Sequence, residues 1–209
     1  MTIDKIRRDY KRASLNKKDA DLSPFKHFAK WIDEAIKADL IDATAMSIST
    51  SENNKPSSRM VLLKGYDESG FSFYTNYESK KGKEISANPN VALLFYWAEL
   101  ERQIRIEGRI EKLSEKENDE YFQSRPIESQ ISTWVSLQSS IVKNRKFLED
   151  RYNESAKKFG KKVPRPKYWG GYKVIPNLFE FWQGRDSRLH DRIQYSKKNK
   201  KWIIERLAP

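Results

Sequence analysis

The last third of the chain sets apolar, alternating segments so close together that helical crossovers cannot fit between them. Residues 168–174, 178–182, 189–195 and 202–207 read as strands separated by short gaps. A parallel pair needs a connection of about a dozen residues or more, so neighbouring segments of this kind pair antiparallel. Earlier runs at 43–49, 59–64, 71–75, 91–97 and 103–110 carry the same signature, with turn sequences Asn53-Asn54-Lys55-Pro56 and Asp67-Glu68-Ser69-Gly70 between them. The expected fold is predominantly β, an antiparallel closed or nearly closed barrel with peripheral helices.

Helical signals lie outside these runs. Ser23 and Pro24 supply a cap and a first-turn proline, and Phe25, Phe28, Ile32 and Ile36 recur at helical spacing. Residues 78–87 form a short helical stretch stopped at Asn88-Pro89. Ser114 with Glu117 makes a capping box for a helix through Tyr121-Phe122. A further helix is expected over 139–159, broken by Gly160, and 161–166 is a basic connector to the closing strands. The organisation expected is one domain over 23–209, preceded by an N-terminal segment, residues 1–22.

Composition narrows the chemistry. The chain has 209 residues, no cysteine and two histidines, His27 and His190. Thiolate metal sites, disulfides and cysteine nucleophiles are therefore excluded, a zinc site is disfavoured, and cytoplasmic residence is expected. No apolar run approaches the ~20 residues of a bilayer span, so no membrane association is expected. The formal charge of +12, from 41 Lys and Arg against 29 Asp and Glu, attracts anions. Its lysine pairs are scattered through turns rather than gathered on one face, which argues against a nucleic-acid footprint.

No Rossmann loop, Walker loop, HExxH or GxSxG motif is present. What remains is a set of cationic and aromatic clusters. Arg59 and Lys64 bracket RMVLLK, where Arg59 offers a bidentate fork and Lys64 a point charge. Thr75 with Lys80 and Lys81 stands at a strand end and helix start suited to phosphate. Tyr121, Arg125 and Ser129 recur at four-residue intervals, interrupted by Pro126. Gln103, Gln138 and Ser139 supply polar groups. In FEFWQGRDSRLHDR, Trp182 passes directly into Arg185, Arg188, His190 and Arg192, a mixture suited to a planar ring and anionic groups.

Together RMVLLK, FYTN, SKKG, ERQIRIEG, YFQSRPIESQI, WVSLQSS, FEFWQGRDSRLHDR and the ending ERLAP closely resemble the pyridoxamine (pyridoxine) 5'-phosphate oxidase family. The resemblance runs over nearly the whole chain and implies the FMN-binding split barrel, with a homodimer whose two active sites are built from both subunits. It assigns FMN contacts to Arg59, Met60, Val61, Leu62, Leu63, Lys64, Tyr74, Thr75, Lys80, Lys81, Gln103, Gln138, Ser139, Trp182 and Arg192. It gives the vitamin B6 substrate to Lys64, Tyr121, Arg125 and Ser129 at its phosphate, and to Arg188, Leu189 and His190 near its ring, with Arg188 and His190 as the catalytic pair. Arg7 and Tyr10 match an N-terminal segment that closes over substrate, so residues 1–22 are expected to act as a mobile lid. Lys80 stands where relatives often carry arginine. The implied reaction converts pyridoxamine or pyridoxine 5'-phosphate to pyridoxal 5'-phosphate, with molecular oxygen as oxidant and hydrogen peroxide as product, the last step of synthesis or salvage. Arg185 receives no role. A noncatalytic flavin- or B6-binding split barrel and a basic nucleic-acid module remain the alternatives.

Overall fold

Every strand pairing in the computed structural model, which describes residues 2–5 and 8–209, is antiparallel, as the short connections require. The strands are β1 (Ala45–Glu52), β2 (Lys55–Leu62), β3 (Gly65–Asp67), β4 (Gly70–Asn76), β5 (Asn90–Trp97), β6 (Arg102–Lys112), β7 (Trp169–Gln183), β8 (Asp191–Lys198) and β9 (Lys201–Leu207). They pair in the order β2-β1-β5-β6-β7-β4-β3, and β8 joins β7 and carries β9. The two ends of that path, β2 and β3, are consecutive in sequence. Leu63 N donates to Thr44 O at 2.9 Å and Lys64 N to Ser72 O at 2.8 Å, so the sheet nearly closes and Lys64 sits on its seam.

One long strand, β7, replaces the two separate strands that the sequence predicts at 168–174 and 178–182. Its first part pairs with β4 through Val174 and its second with β8 from Leu178. Pro176 falls between those two partners, where a missing N–H leaves no ladder bond unmade on that side. On the other side it faces Gly108, where the β6–β7 register shifts between Glu107 and Gly108. A Cβ at Gly108 would run into the Ile175 carbonyl, so the bulge requires glycine.

Among the described residues five α-helices surround the barrel: α1 (Pro24–Lys37), α2 (Lys80–Ala87), α3 (Glu115–Ser124), α4 (Ile127–Val135) and α5 (Arg145–Phe159). Helix α1 starts at the expected Ser23-Pro24 and buries Phe25, Phe28, Trp31, Ile32 and Ala35. Phe28 meets Phe71 at 4.8 Å and Phe95 at 5.3 Å between ring centroids, edge to face. A fully buried phenylalanine in such a setting is worth ~3–5 kcal/mol over alanine. A second, smaller core under α3–α5 gathers Phe122, Ile131, Val135, Val163 and Trp169. Helix α5 begins at Arg145 rather than near 139, because the Asn144 side chain caps it by accepting from Phe147 N at 2.9 Å. Among the described residues no helix is long and apolar enough to cross a membrane.

His27 belongs to this core. It is buried, stacks on Phe181 at 4.1 Å and hydrogen-bonds the Tyr195 hydroxyl at 3.0 Å. Burial first, then the charges of Lys30 and Arg102, lower its pKa from 6.5 to about 4. The unfolded chain therefore binds a proton below pH 6.5 that the folded chain refuses until about pH 4. Stability should fall as pH drops through that window, by on the order of 3 kcal/mol from this residue. Urea melts of the wild type and of His27→Gln at pH 7 and pH 4.5 check this: the substituted protein should lose less stability between the two.

Candidate active site

The N-terminus of α2 turns one lysine inward. Ser79 caps it, accepting from Gly82 N at 3.3 Å, and a Cβ at Gly82 would run into the Tyr77 carbonyl. Lys81 is buried there, and Nζ donates to Thr75 Oγ1 at 3.0 Å, Gln138 Oε1 at 3.3 Å and Ser79 Oγ at 3.4 Å. All three acceptors are neutral. Burial, followed by the nearby charge of Arg59, brings the Lys81 ammonium from 10.5 down to about 8. A cation surrounded in this way gains most from an anion arriving from outside, so the site fits a phosphate.

Lys81 opens into a cavity of about 460 Å³ whose cationic lining, among the described residues, is Lys64, Lys81 and Arg125, with no carboxylate. Met60, Val61, Leu62, Tyr74, Thr75, Tyr121, Ser129 and Gln138 also line it, which brings together nearly half of the residues the sequence singles out. One wall is a stack of rings: Tyr74 lies 3.8 Å from Tyr121 and 5.4 Å from Trp169, at interplanar angles of 17° and 16°. Desolvation, then the neighbouring Tyr121, raises the Tyr74 phenol to about 12, so it stays a neutral donor. The Arg125 guanidinium sits 4.6 Å over the Trp169 ring and donates to Thr133 Oγ1 at 2.9 Å and Ser129 O at 3.1 Å.

Pro126 breaks the single helical face expected for Tyr121, Arg125 and Ser129. Helix α3 ends at Ser124, Arg125 is extended, and α4 begins beyond the proline. The three residues still meet, because Gln130 of α4 donates back to Arg125 O at 2.8 Å and docks the second helix onto the end of the first.

Other sequence candidates take different places. Arg59 does not line the cavity; it stands beside Lys81, with its guanidinium on Thr50, Ser57 and Glu84. Leu63 is buried in the barrel core, so only its backbone can face a ligand. Lys80 is exposed and pairs with Glu84 at 3.8 Å, one helical turn on. Ser139 is exposed at φ 72° and does not line the cavity that Gln138 lines.

A second cavity, about 390 Å³, is lined by Arg8, Asp9, Tyr10, Arg185, Ser187, Arg188 and His190 and shares no lining residue with the first. Ser187 (φ 54°) and Arg188 (φ 61°) both hold left-handed backbone, a strained arrangement that puts Arg188 at the rim. His190 Nδ1 accepts from Arg185 N at 3.1 Å, which assigns the ring proton to Nε2 in the neutral form. Leu189 beside it is exposed. Tyr10 packs edge-on against both Trp182 and His190 at 5.6 Å. Arg7 lies outside the described residues.

Buried acids hold this corner together. Glu101 accepts from Arg12 N at 2.9 Å and pairs with Arg8 at 3.5 Å, while Asp191 accepts from Leu15 N at 3.0 Å. Asp191 also binds Arg185 at 2.9 Å and Arg206 at 2.6 Å, which gives Arg185 a place: it is the counter-ion of the loop, not a free cation. Gln103, Trp182 and Arg192 form one cross-strand row over β6, β7 and β8. Arg192 is oriented by Glu180 at 2.8 Å and by Ala208 O at 2.8 Å, so the chain's last residues take part in placing it.

Glu84, Glu101, Asp191 and Trp169 went unnoticed in the sequence. Glu84 has a local signal, four residues after Lys80, and Asp191 has one in Arg185, six residues before it; Glu101 and Trp169 meet their partners from distant segments.

A sequence model of the family described as pyridoxamine 5'-phosphate oxidase matches residues 32–158, and one described as the pyridoxine 5'-phosphate oxidase C-terminal dimerisation region matches residues 169–209. Pyridoxine/pyridoxamine 5'-phosphate oxidases of Burkholderia mallei and Burkholderia thailandensis are each 51% identical over 212 residues, covering 100% of this chain and 99% of theirs. The crystal structure of PhzG from Burkholderia lata 383, in complex with tetrahydrophenazine-1-carboxylic acid, superposes with a TM-score of 0.87 at 29% identity, covering 92% of this chain and 95% of that one. A pyridoxamine 5'-phosphate oxidase-related, FMN binding protein of Nostoc punctiforme shares the fold at a TM-score of 0.71 and 16% identity, over 91% of this chain and 100% of its own. The split-barrel architecture, the cations clustered in one cavity and these matches agree: the chain is an enzyme of the pyridoxine/pyridoxamine 5'-phosphate oxidase family.

Proposed function

We propose that the protein oxidises pyridoxamine 5'-phosphate or pyridoxine 5'-phosphate to pyridoxal 5'-phosphate with FMN as cofactor. The carrying observation is the cavity lined by Lys64, Lys81 and Arg125 and, among the described residues, by no carboxylate. Lys81, Thr75 and Gln138, with Arg59 behind them, would hold the cofactor phosphate. Lys64, Arg125, Ser129 and the Tyr121 hydroxyl would hold the substrate phosphate. The flavin, when bound, supplies a two-electron acceptor that oxygen regenerates, with hydrogen peroxide as product.

The chain's own part is binding and orientation. A phosphate fixed by Arg125 sets the position of the reacting carbon at the other end of the substrate, which converts binding into rate. His190 offers an Nε2–H donor to a ring substituent, while its Nδ1 is committed to Arg185 N. Arg188 places a cation beside it for the pyridine ring. Tyr10, packed on Trp182 and His190, would have to shift for substrate to enter and would then exclude water on return.

Two copies of the chain complete the site in this reading. Supporting it, the two cavities are separate in one chain, and the outer face exposes Met60 and Tyr96 at 62% and 54%. Cytoplasmic residence is part of the same proposal.

Anaerobic mixing with either phosphorylated substrate should bleach the bound flavin, and air should restore it with consumption of oxygen. A bound flavin that neither substrate reduces would sink the reading. Tetrahydrophenazine-1-carboxylic acid, the ligand of the PhzG structure, makes a third arm. Reduction by it alone would point instead to a tricyclic carboxylate substrate.

A further inference from the structure

Glu84 is a buried carboxylate with no place in the chemistry described so far. It lies on α2 at 4% exposure and accepts from Thr50 Oγ1 at 2.6 Å, from Ser57 Oγ at 2.8 and 2.7 Å, and from Arg59 Nη2 at 2.9 Å. Burial pushes its carboxyl up, but these hydrogen bonds outweigh burial and bring it down to about 2, so it is ionised throughout the working range. Stability is a weak reason for such a pair, because apolar side chains of similar volume often serve as well. Geometry is the stronger reason. Nη1 of Arg59 is directed to Thr50 Oγ1 at 2.6 Å and Ile48 O at 3.5 Å, and Nη2 to Ser57 and Glu84. Of the five guanidinium N–H groups this leaves Nε–H for an incoming anion.

We propose that Glu84 is a positioning residue: it fixes the Arg59 guanidinium beside Lys81, so that the two cations together select a flavin that carries a phosphate. The inference rests on the FMN reading above. Glu84 also favours the charged form of Lys81, against the opposing effect of Arg59. Without Glu84, Arg59 loses its fixed plane and Lys81 loses part of its charge at neutral pH. Both changes weaken phosphate binding. The carboxylate's own repulsion of phosphate acts in the opposite sense, so the direction of the measured change separates positioning from mere repulsion.

The test compares two ligands that share a ring system, FMN and riboflavin, binding to full-length protein freed of flavin, followed by quenching of flavin fluorescence. Glu84→Gln should lower FMN affinity about tenfold and leave riboflavin affinity within about twofold, the scale of one well-oriented charged hydrogen bond. Ser57→Ala, which removes a hydroxyl shared by Arg59 and Glu84, should cause a smaller loss in the same direction. Adding Glu84→Gln to Arg59→Ala should change FMN affinity little further, since both act through one contact. A loosened fold would weaken both flavins alike, and that result overturns the proposal, as does an unchanged or increased preference for FMN. If Glu84→Gln does not fold, an unchanged preference in Ser57→Ala overturns it equally. Wild-type protein that fails to prefer FMN over riboflavin would instead defeat the cofactor reading.

Discussion

Arg125→Ala is expected to lower kcat/KM for both phosphorylated substrates by about 10²–10³-fold, roughly 3–4 kcal/mol of transition-state stabilisation. Two contacts fix Arg125 before any ligand arrives, to Thr133 Oγ1 and Ser129 O, and the Trp169 ring supports its guanidinium plane at 4.6 Å. A preorganised cation of this kind spends little entropy on closing around a phosphate. Its loss should reduce kcat as well as raise KM, because the phosphate anchors the reacting end of the substrate. Arg125→Lys should recover only part of the activity: an ammonium restores charge but neither the fork nor the stacking on Trp169. FMN affinity should change by less than about twofold, since Thr75, Lys81 and Gln138 are untouched. Stopped-flow reduction of the bound flavin, with flavin affinity measured in parallel, checks both parts. Wild-type reduction rates and substrate affinity in Arg125→Ala would remove this residue from the substrate site.

Local chemistry made much of the fold legible. Ser23-Pro24 announces α1, and the Ser114–Glu117 capping box announces α3, because each signal is contained within one turn. Alternation in β1 and β6 follows from a barrel with one buried and one outward face. Where the reading failed, the deciding partner was remote. Pro176 looks like a strand end until β4 and β8 are seen to leave a gap opposite it, with Gly108 absorbing the shift on the other side. The late start of α5 is the exception, decided locally by the Asn144 cap, although the preceding residues carry no strong breaker.

The candidate site divides in the same way. Lys64, Lys81 and Arg125 stand out as cations next to turns and aromatic residues, and the structure brings them to one cavity. The carboxylates that organise the neighbouring cations did not stand out. Glu84 meets Thr50 and Ser57 from two strands, and Asp191 meets Leu15 and Arg206 from the two ends of the chain. No spacing rule within a single element reports such meetings. Arg185 shows the consequence: the sequence leaves it without a role, and the structure pairs it with Asp191. The left-handed backbone at Ser187 and Arg188 was equally hidden, since no glycine marks it.

Mixing two inactive variants is expected to restore activity. Arg125 and Arg188 line separate cavities of one chain, and Arg188 lies within the part of the sequence matched by the dimerisation region of the family. If each working site draws Arg125 from one subunit and Arg188 from the other, dimers of Arg125→Ala alone or of Arg188→Ala alone have two damaged sites. A mixed dimer places both lesions in one site and leaves the second intact. Random assortment should then return roughly a quarter of wild-type sites, and mixed dimers isolated with two different affinity tags roughly half. Restoration at that level has no counterpart in a site built within one chain, where every site of every mixture keeps a lesion. The measurement is the turnover of co-expressed, doubly purified protein per bound flavin, compared with each parent. Mixed dimers that show only the parents' residual activity would place both arginines in the same subunit's site and overturn the shared arrangement, while leaving the roles of Arg125 and Arg188 to be judged by their single variants.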